Sequence, residues 1–130
     1  METQEFLYLI CIYVSWYSSK QKIEVVLWLF FSDYEIVTVT GDKNGASTNA
    51  NVYITIEGRS GVTPKIHLKD FTRTNFRQNS SDTFKIRANC VGPMKKIRIE
   101  HDNTGIGAGW YLERVGILRI MSDYCLSEWL

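Results

Sequence analysis

The chain has 130 residues, enough for one domain with a single substantial core. Hydrophobic residues make up 45% and aromatic residues 13%, which excludes a disordered chain. With 15 basic and 14 acidic residues the net charge is +1, so bulk charge gives no argument for a nucleic-acid partner.

In chain order, two apolar runs come first. Phe6 to Tyr17 reads FLYLICIYVSWY and Ile23 to Phe31 reads IEVVLWLFF, with SSKQK between them. Neither reaches the ~18 apolar residues of a membrane span. Joined, they would put Lys20, Lys22 and Glu24 into hydrocarbon, where charge is expensive. The METQE start is acidic and no A-x-A-like site follows, which argues against a signal peptide. Composition breaks at Ser32–Asp33. Residues 1–32 are read as an atypical apolar extension and residues 33–130 as the domain.

From Tyr34 the pattern is that of strands. YEIVTVTG is rich in β-branched and aromatic residues and stops at Gly41. NVYITIEG alternates, with Val52, Ile54 and Ile56 on one face and Tyr53 and Thr55 on the other. EGRSGVTP supplies a turn, and KIHL a short strand. DTFKIRA and KKIRIEHD alternate again, through Phe84 and Ile86 and through Ile97 and Ile99. GWYLERVGILRI is longer, with a slip that predicts a bulge near Arg114–Val115. No segment after Tyr34 carries a capped helix-length apolar stripe. Short strands separated by turns predict an all-β fold, a sandwich of antiparallel sheets. The three cysteines, Cys11, Cys90 and Cys125, are far apart and form no C-x-x-C. Reduced, buried thiols are expected, with a Cys90–Cys125 bridge as the alternative.

The stretch TGDKNGASTNANVYITIEG, Thr40 to Gly58, holds the most polar loop. It is not a P-loop: the Gly41–Gly45 spacing is wrong, no lysine follows Gly45, and a strand comes next. It is not an EF-hand, because Ser47 and Tyr53 stand where Gly and Glu are required. A calcium ion shared between converging loops needs six to eight oxygens. Asp42, Asn44, Asn49, Asn51, Asn75, Asn79, Asp82, Asp102 and Asn103 offer them. The same residue types favour turns, and on chemistry alone the turn reading is preferred.

TGDKNGASTNANVYITIEG, LKDF, NSSDTFKI and IRIEHDNTGIGAGWYLERVGI, in that order, closely resemble the PLAT domain, also called the lipoxygenase homology domain. The resemblance runs from Tyr34 through Ile117 and is nearest to the repeats of multi-PLAT scaffolds in sensory hair cells. YCLSEWL is loosely similar to the family's closing strand, with different spacing. The resemblance implies a C2-like sandwich of eight strands in two four-stranded antiparallel sheets. It implies a non-catalytic module, one repeat or fragment of a scaffold, that meets a protein partner or an anionic membrane surface. A cytoplasmic, membrane- or cytoskeleton-associated location follows, as in a stereocilium. No cofactor is required, and calcium is the one implied ion. Its ligands would be the Gly45 and Ala46 carbonyls, Asn49 where relatives often have Asp, and Asn75 where some have an acid. Asp42 and Asp102 would add negative charge nearby, but the amides weaken such a site. The alternatives are a calcium-dependent lipid-binding domain and the regulatory fragment of a lipid-acting enzyme.

Trp110 follows Gly105, Gly107 and Gly109. It is either a membrane-dipping aromatic or a core tryptophan opening a strand, and Leu112 two residues on favours the core. His67 and His101 cannot build an iron centre, and His101–Asp102 has no nucleophile elbow to serve. Lys65, Lys69, Arg73, Arg77, Lys95, Lys96 and Arg98 offer a basic face, diluted by acidic neighbours.

Overall fold

The computed structural model describes residues 31–120. Both N-terminal apolar runs up to Phe30, together with Cys11, Cys125 and YCLSEWL, lie outside the described residues. Alternation is what makes the sheets. In β1 (Phe31–Thr40), Ser32, Tyr34, Ile36, Thr38 and Thr40 are buried while Asp33 faces solvent. The composition break at Ser32–Asp33 therefore falls inside a strand. β2 (Val52–Gly58) buries Val52, Ile54 and Ile56 on one face, as its sequence predicts. The short β3 (Gly61–Val62) and β4 (Ile66–Leu68) follow, then β5 (Ser81–Asn89), β6 (Met94–His101) and β7 (Leu112–Ile120). No helix occurs among the described residues.

The strands form two antiparallel sheets. The first has the order β5-β1-β7. In the second, β2 pairs with β6 along one edge and with β3 and β4 along the other. One sheet thus has the four strands implied by the resemblance, and the other shows three among the described residues. The bulge in the last strand sits slightly earlier than the sequence predicts. Val39 pairs with Arg114 and Thr40 with Leu112, so Glu113 is the extra residue.

The sheets close over Tyr34, Ile36, Val52, Ile54, Ile56, Leu68, Phe76, Phe84, Ala88 and Val91. Each fully buried Ile, Leu or Val among them contributes about 2 kcal/mol of transfer free energy. The Tyr34 hydroxyl donates to the Asn89 carbonyl at 3.1 Å, and burial pushes its phenol above the ordinary value. Cys90 is disulfide-bonded, which overturns the expectation of a reduced thiol at that position. Sequence separation hid this, because strand pairing and not spacing decides which cysteines meet.

The register places the end of β1, β4 and β6 and the start of β2, β5 and β7 at one end of the sandwich. Loops 41–51, 69–80 and 102–111 therefore gather there. This loop end is where the sequence put its candidate residues.

Candidate functional site

The three loops are built into one another. Gly41 N–H donates to the Tyr111 carbonyl at 3.0 Å, and Tyr111 N–H donates to the Ala46 carbonyl at 3.1 Å. The buried Thr48 hydroxyl donates to the Ala108 carbonyl at 2.9 Å and accepts Ala50 N–H at 3.1 Å. Thr48 N–H in turn reaches the Phe76 carbonyl at 3.2 Å.

Phe76 organises the middle loop. Its φ of 59° is left-handed, unusual for a bulky residue, and is held by bonds on both sides. Its N–H donates to Asp82 Oδ2 at 2.8 Å, while its ring stacks on Phe84 and meets Trp110 edge-on at 5.0 Å. Asp82 is buried. It also accepts from Asn75 Nδ2 at 3.3 Å and stands 3.6 Å from the Arg73 guanidinium. The carboxylate that the sequence offered as a calcium ligand instead gathers the donors of its own loop.

The sequence-nominated residues separate into three groups. Asp42 Oδ1 accepts from Gln78 Nε2 at 2.9 Å, and Asn49 Oδ1 accepts from Arg77 Nη2 at 2.5 Å. Asn75 Oδ1 caps Asp70 N–H at 2.9 Å. Asp102, at the end of β6, accepts from Asn51 N–H and Nδ2 and from Thr104 N–H and Oγ1. The Thr104 and Asn51 bonds hold its carboxyl well below the usual carboxylate range. Gly45 lies at a positive φ of 79° with its side open, whereas Ala46 is buried. The four side chains that the resemblance implies around calcium, Asp42, Asn49, Asn75 and Asp102, thus each already accept a bond from a protein donor. Among the described residues, no three His, Cys, Asp or Glu side chains gather where they would hold a metal. As arranged, this donor set does not fit a calcium ion, which requires six to eight oxygens turned to one point.

Between the first two loops lies a cleft of about 290 Å³. Asn49, Asn51, His67, Lys69, Arg73 and Arg77 are among its lining residues. Trp110 is half-buried against the core, and its indole N–H donates to Thr40 Oγ1 at 3.0 Å. The side chains that project are others. Ile106 is 98% exposed and Phe71 is 86% exposed. Ile106 stands between Gly105 (φ 84°) and Gly107 (φ 65°), whose left-handed conformations turn the chain tightly and push the isoleucine out. The Lys69 ammonium stands 5.0 Å over the Phe71 ring, and Lys43 stands 4.0 Å over Tyr111. The signals for these two tips were an apolar residue between glycines and a phenylalanine outside any strand. The remaining basic residues disperse: Lys65 pairs with Glu100, and Lys95, Lys96 and Arg98 lie on β6. His67 stacks on Tyr53, and His101 Nδ1 accepts Asn103 N–H.

Residues 34–129 match the family model of the PLAT/LH2 domain. The chain is 54% identical over 82 residues to lipoxygenase homology domain-containing protein 1 of Mus musculus, a match covering 63% of the chain and 4% of that protein. Polycystin-1-like protein 3 of Homo sapiens is 34% identical over 83 residues, covering 63% of the chain and 5% of that protein. The chain thus spans only a small part of the curated relatives it matches. Among solved structures, a coral 8R-lipoxygenase, described as showing calcium activation via a C2-like domain, aligns with a TM-score of 0.66 at 27% identity. That alignment covers 70% of this chain and 14% of the lipoxygenase. With its two antiparallel sheets, its ordered motifs and this match, the chain belongs to the PLAT/LH2 domain family.

Proposed function

We propose that the chain is a non-catalytic docking module whose loop end seats on an anionic membrane surface. The observation that carries this reading is the pair of exposed apolar tips, Phe71 and Ile106, on two loops of the same end, with Lys69 over the Phe71 ring and Lys43 over the Tyr111 ring there. Large apolar side chains held in water on a rigid loop end are suited to burial elsewhere. Moving each into lipid is worth about 2 kcal/mol. Each nearby lysine adds about 1 kcal/mol at an anionic surface. The sum, on the order of 6 kcal/mol, gives weak and reversible binding for one module. Modules in series, as in a multi-PLAT scaffold, would multiply it by avidity.

A second reading is docking to a protein through the outer face of the first sheet. There Phe31, Leu118 and Ile120 are exposed beside the Arg87–Asp33 ion pair. Co-sedimentation with vesicles separates the two. The membrane reading expects binding to vesicles containing phosphatidylserine, weaker binding to neutral vesicles, and a loss of about tenfold or more in Phe71→Asp/Ile106→Asp. Vesicle binding indifferent to the tips, or no binding at all, overturns it and leaves the protein-docking face.

A further inference from the structure

We propose that Arg77 is a built-in cation: its guanidinium occupies the position on Asn49 that a calcium ion would need, and makes this loop end insensitive to calcium. Arg77 Nη2 stands 2.5 Å from Asn49 Oδ1. One amide oxygen cannot serve a guanidinium and a calcium ion along the same direction. The two cations would also repel each other in the cleft.

The guanidinium is held there by the backbone behind it. Phe76 is fixed by Asp82 on one side and by Thr48 on the other. The next carbonyl, that of Arg77, accepts both Ser80 N–H and the Ser80 hydroxyl. The Arg77 Nε is buried without a hydrogen-bond partner, and the side chain lines the cleft with its Nη2 on Asn49.

Charge supports the exchange. A carboxylate holding calcium carries a net +1, and a carboxamide holding a guanidinium carries the same +1. The pair Asn49–Arg77 therefore carries the charge that one carboxylate with a bound calcium ion would carry, with no ion to load. The neighbouring oxygens agree. Ala46 O takes Tyr111 N–H, Asp42 Oδ1 takes Gln78 Nε2, and Asn75 Oδ1 takes Asp70 N–H. On this view the amide at Asn49 is not a weakened calcium ligand. It is a neutral acceptor already engaged by a permanent cation.

The inference does not rest on the membrane reading, and its test uses no membrane. The full chain, stripped with a chelator, is titrated with calcium by calorimetry and by thermal unfolding. Wild type should show no saturable heat and no rise in Tm up to about 1 mM calcium, the weak end of protein sites. Arg77→Lys should behave like wild type, because it keeps the cation. Asn49→Asp/Arg77→Gln should gain saturable binding, at least about tenfold tighter than Asn49→Asp alone. Saturable binding by wild type below about 1 mM overturns the proposal. So does equal affinity in the single and double variants. If circular dichroism finds the double variant unfolded, Arg77→Gln decides: a calcium-dependent rise in its Tm supports the built-in cation, and an unmoved Tm overturns it.

Discussion

The two ends of the sandwich are closed by different chemistry. At the end carrying the β2–β3 and β5–β6 turns, main chain is a partner in the closing bonds, including those from the side chains of Arg119 to the Gly92 carbonyl and of Asn89 to the Val62 carbonyl. Arg59 N–H donates to the Pro93 carbonyl at 2.9 Å and Ser60 N–H to the Val91 carbonyl at 2.8 Å. At the loop end, main-chain bonds are joined by side chains: Thr48 to Ala108, Ser47 to Gln78 N–H, Gln78 to Asp42, Arg77 to Asn49, and Asn51 to Asp102. Bonds between main-chain groups are indifferent to residue identity, and at the first end they are supplemented by side chains that reach main chain, so that end mainly specifies shape. Side-chain bonds depend on identity, so the second end can change its chemistry while the sheets stay as they are. The comparison predicts that substitutions at the first end act through the fold, and that those at the second act residue by residue.

The largest effect is expected at Gly58. A Cβ there would lie 2.2 Å from the Val91 carbonyl oxygen and 2.9 Å from that of Pro93. Both contacts are backbone atoms and cannot swing aside. Gly58→Ala should cost about 3 kcal/mol in urea unfolding, as overpacking of a rigid contact does. A variant within about 0.5 kcal/mol of wild type would show that this end is slack, and the contrast would fail.

Next comes a pair four residues apart in one loop. Trp110→Ala removes the edge contact with Phe76 and the bond to Thr40, and should cost about 2–3 kcal/mol, less than a fully buried tryptophan. Ile106→Ala removes a side chain that is 98% exposed and should move stability by less than about 0.5 kcal/mol. Thermal and urea unfolding of the two variants sharpen the division of the loop end into holding and projecting residues.

A smaller loss is expected at Thr48. Thr48→Val keeps the volume but removes the hydroxyl that serves the Ala108 carbonyl and Ala50 N–H. About 1–2 kcal/mol should go, because those partners are left without this hydroxyl in a buried place. Amide hydrogen exchange should rise at Ala50 while the β1–β5 ladder keeps its protection.

The sheets were legible because alternation is local. Val52, Ile54 and Ile56 declare their face within one strand, and the core follows from adding such strands together. The loop end was legible only as a place. Asp82, Asn49 and Asn75 could be named as oxygens, but which donor each would take depends on distant residues. Asp82 meets Phe76 N–H because Phe76 turns left-handed, a conformation no propensity of phenylalanine predicts. Arg77 read as one member of a basic face because nothing in the sequence tells which of several cations lies against Asn49. Trp110 was readable from Leu112 beyond it, since a strand about to begin points one face inward. Cys90 was not readable, because three cysteines at wide spacing say nothing of which approach in space.

The smallest effect separates hydrogen bonding from charge as the cement of the loop end. The folded carboxyl of Asp102 is held below its ordinary range first by the Thr104 hydroxyl and then by the Asn51 amide. A depressed folded pKa contributes stability above the unfolded pKa and loses it as pH falls through the folded one. Wild type should therefore lose stability below about pH 4, and Asp102→Asn should lose less over that interval while being less stable at neutral pH. The chief causes at Asp102 are neutral donors, so the difference between the two acid limbs should survive about 0.5 M salt. At Glu100 the first cause is the bond from Lys65, and the same comparison with Glu100→Gln should shrink when salt is added. Urea midpoints from neutral pH to about pH 2, at low and high salt, measure both. Equal salt sensitivity at the two positions would mean that ion pairing, and not the lattice of neutral donors, binds the third loop to the first.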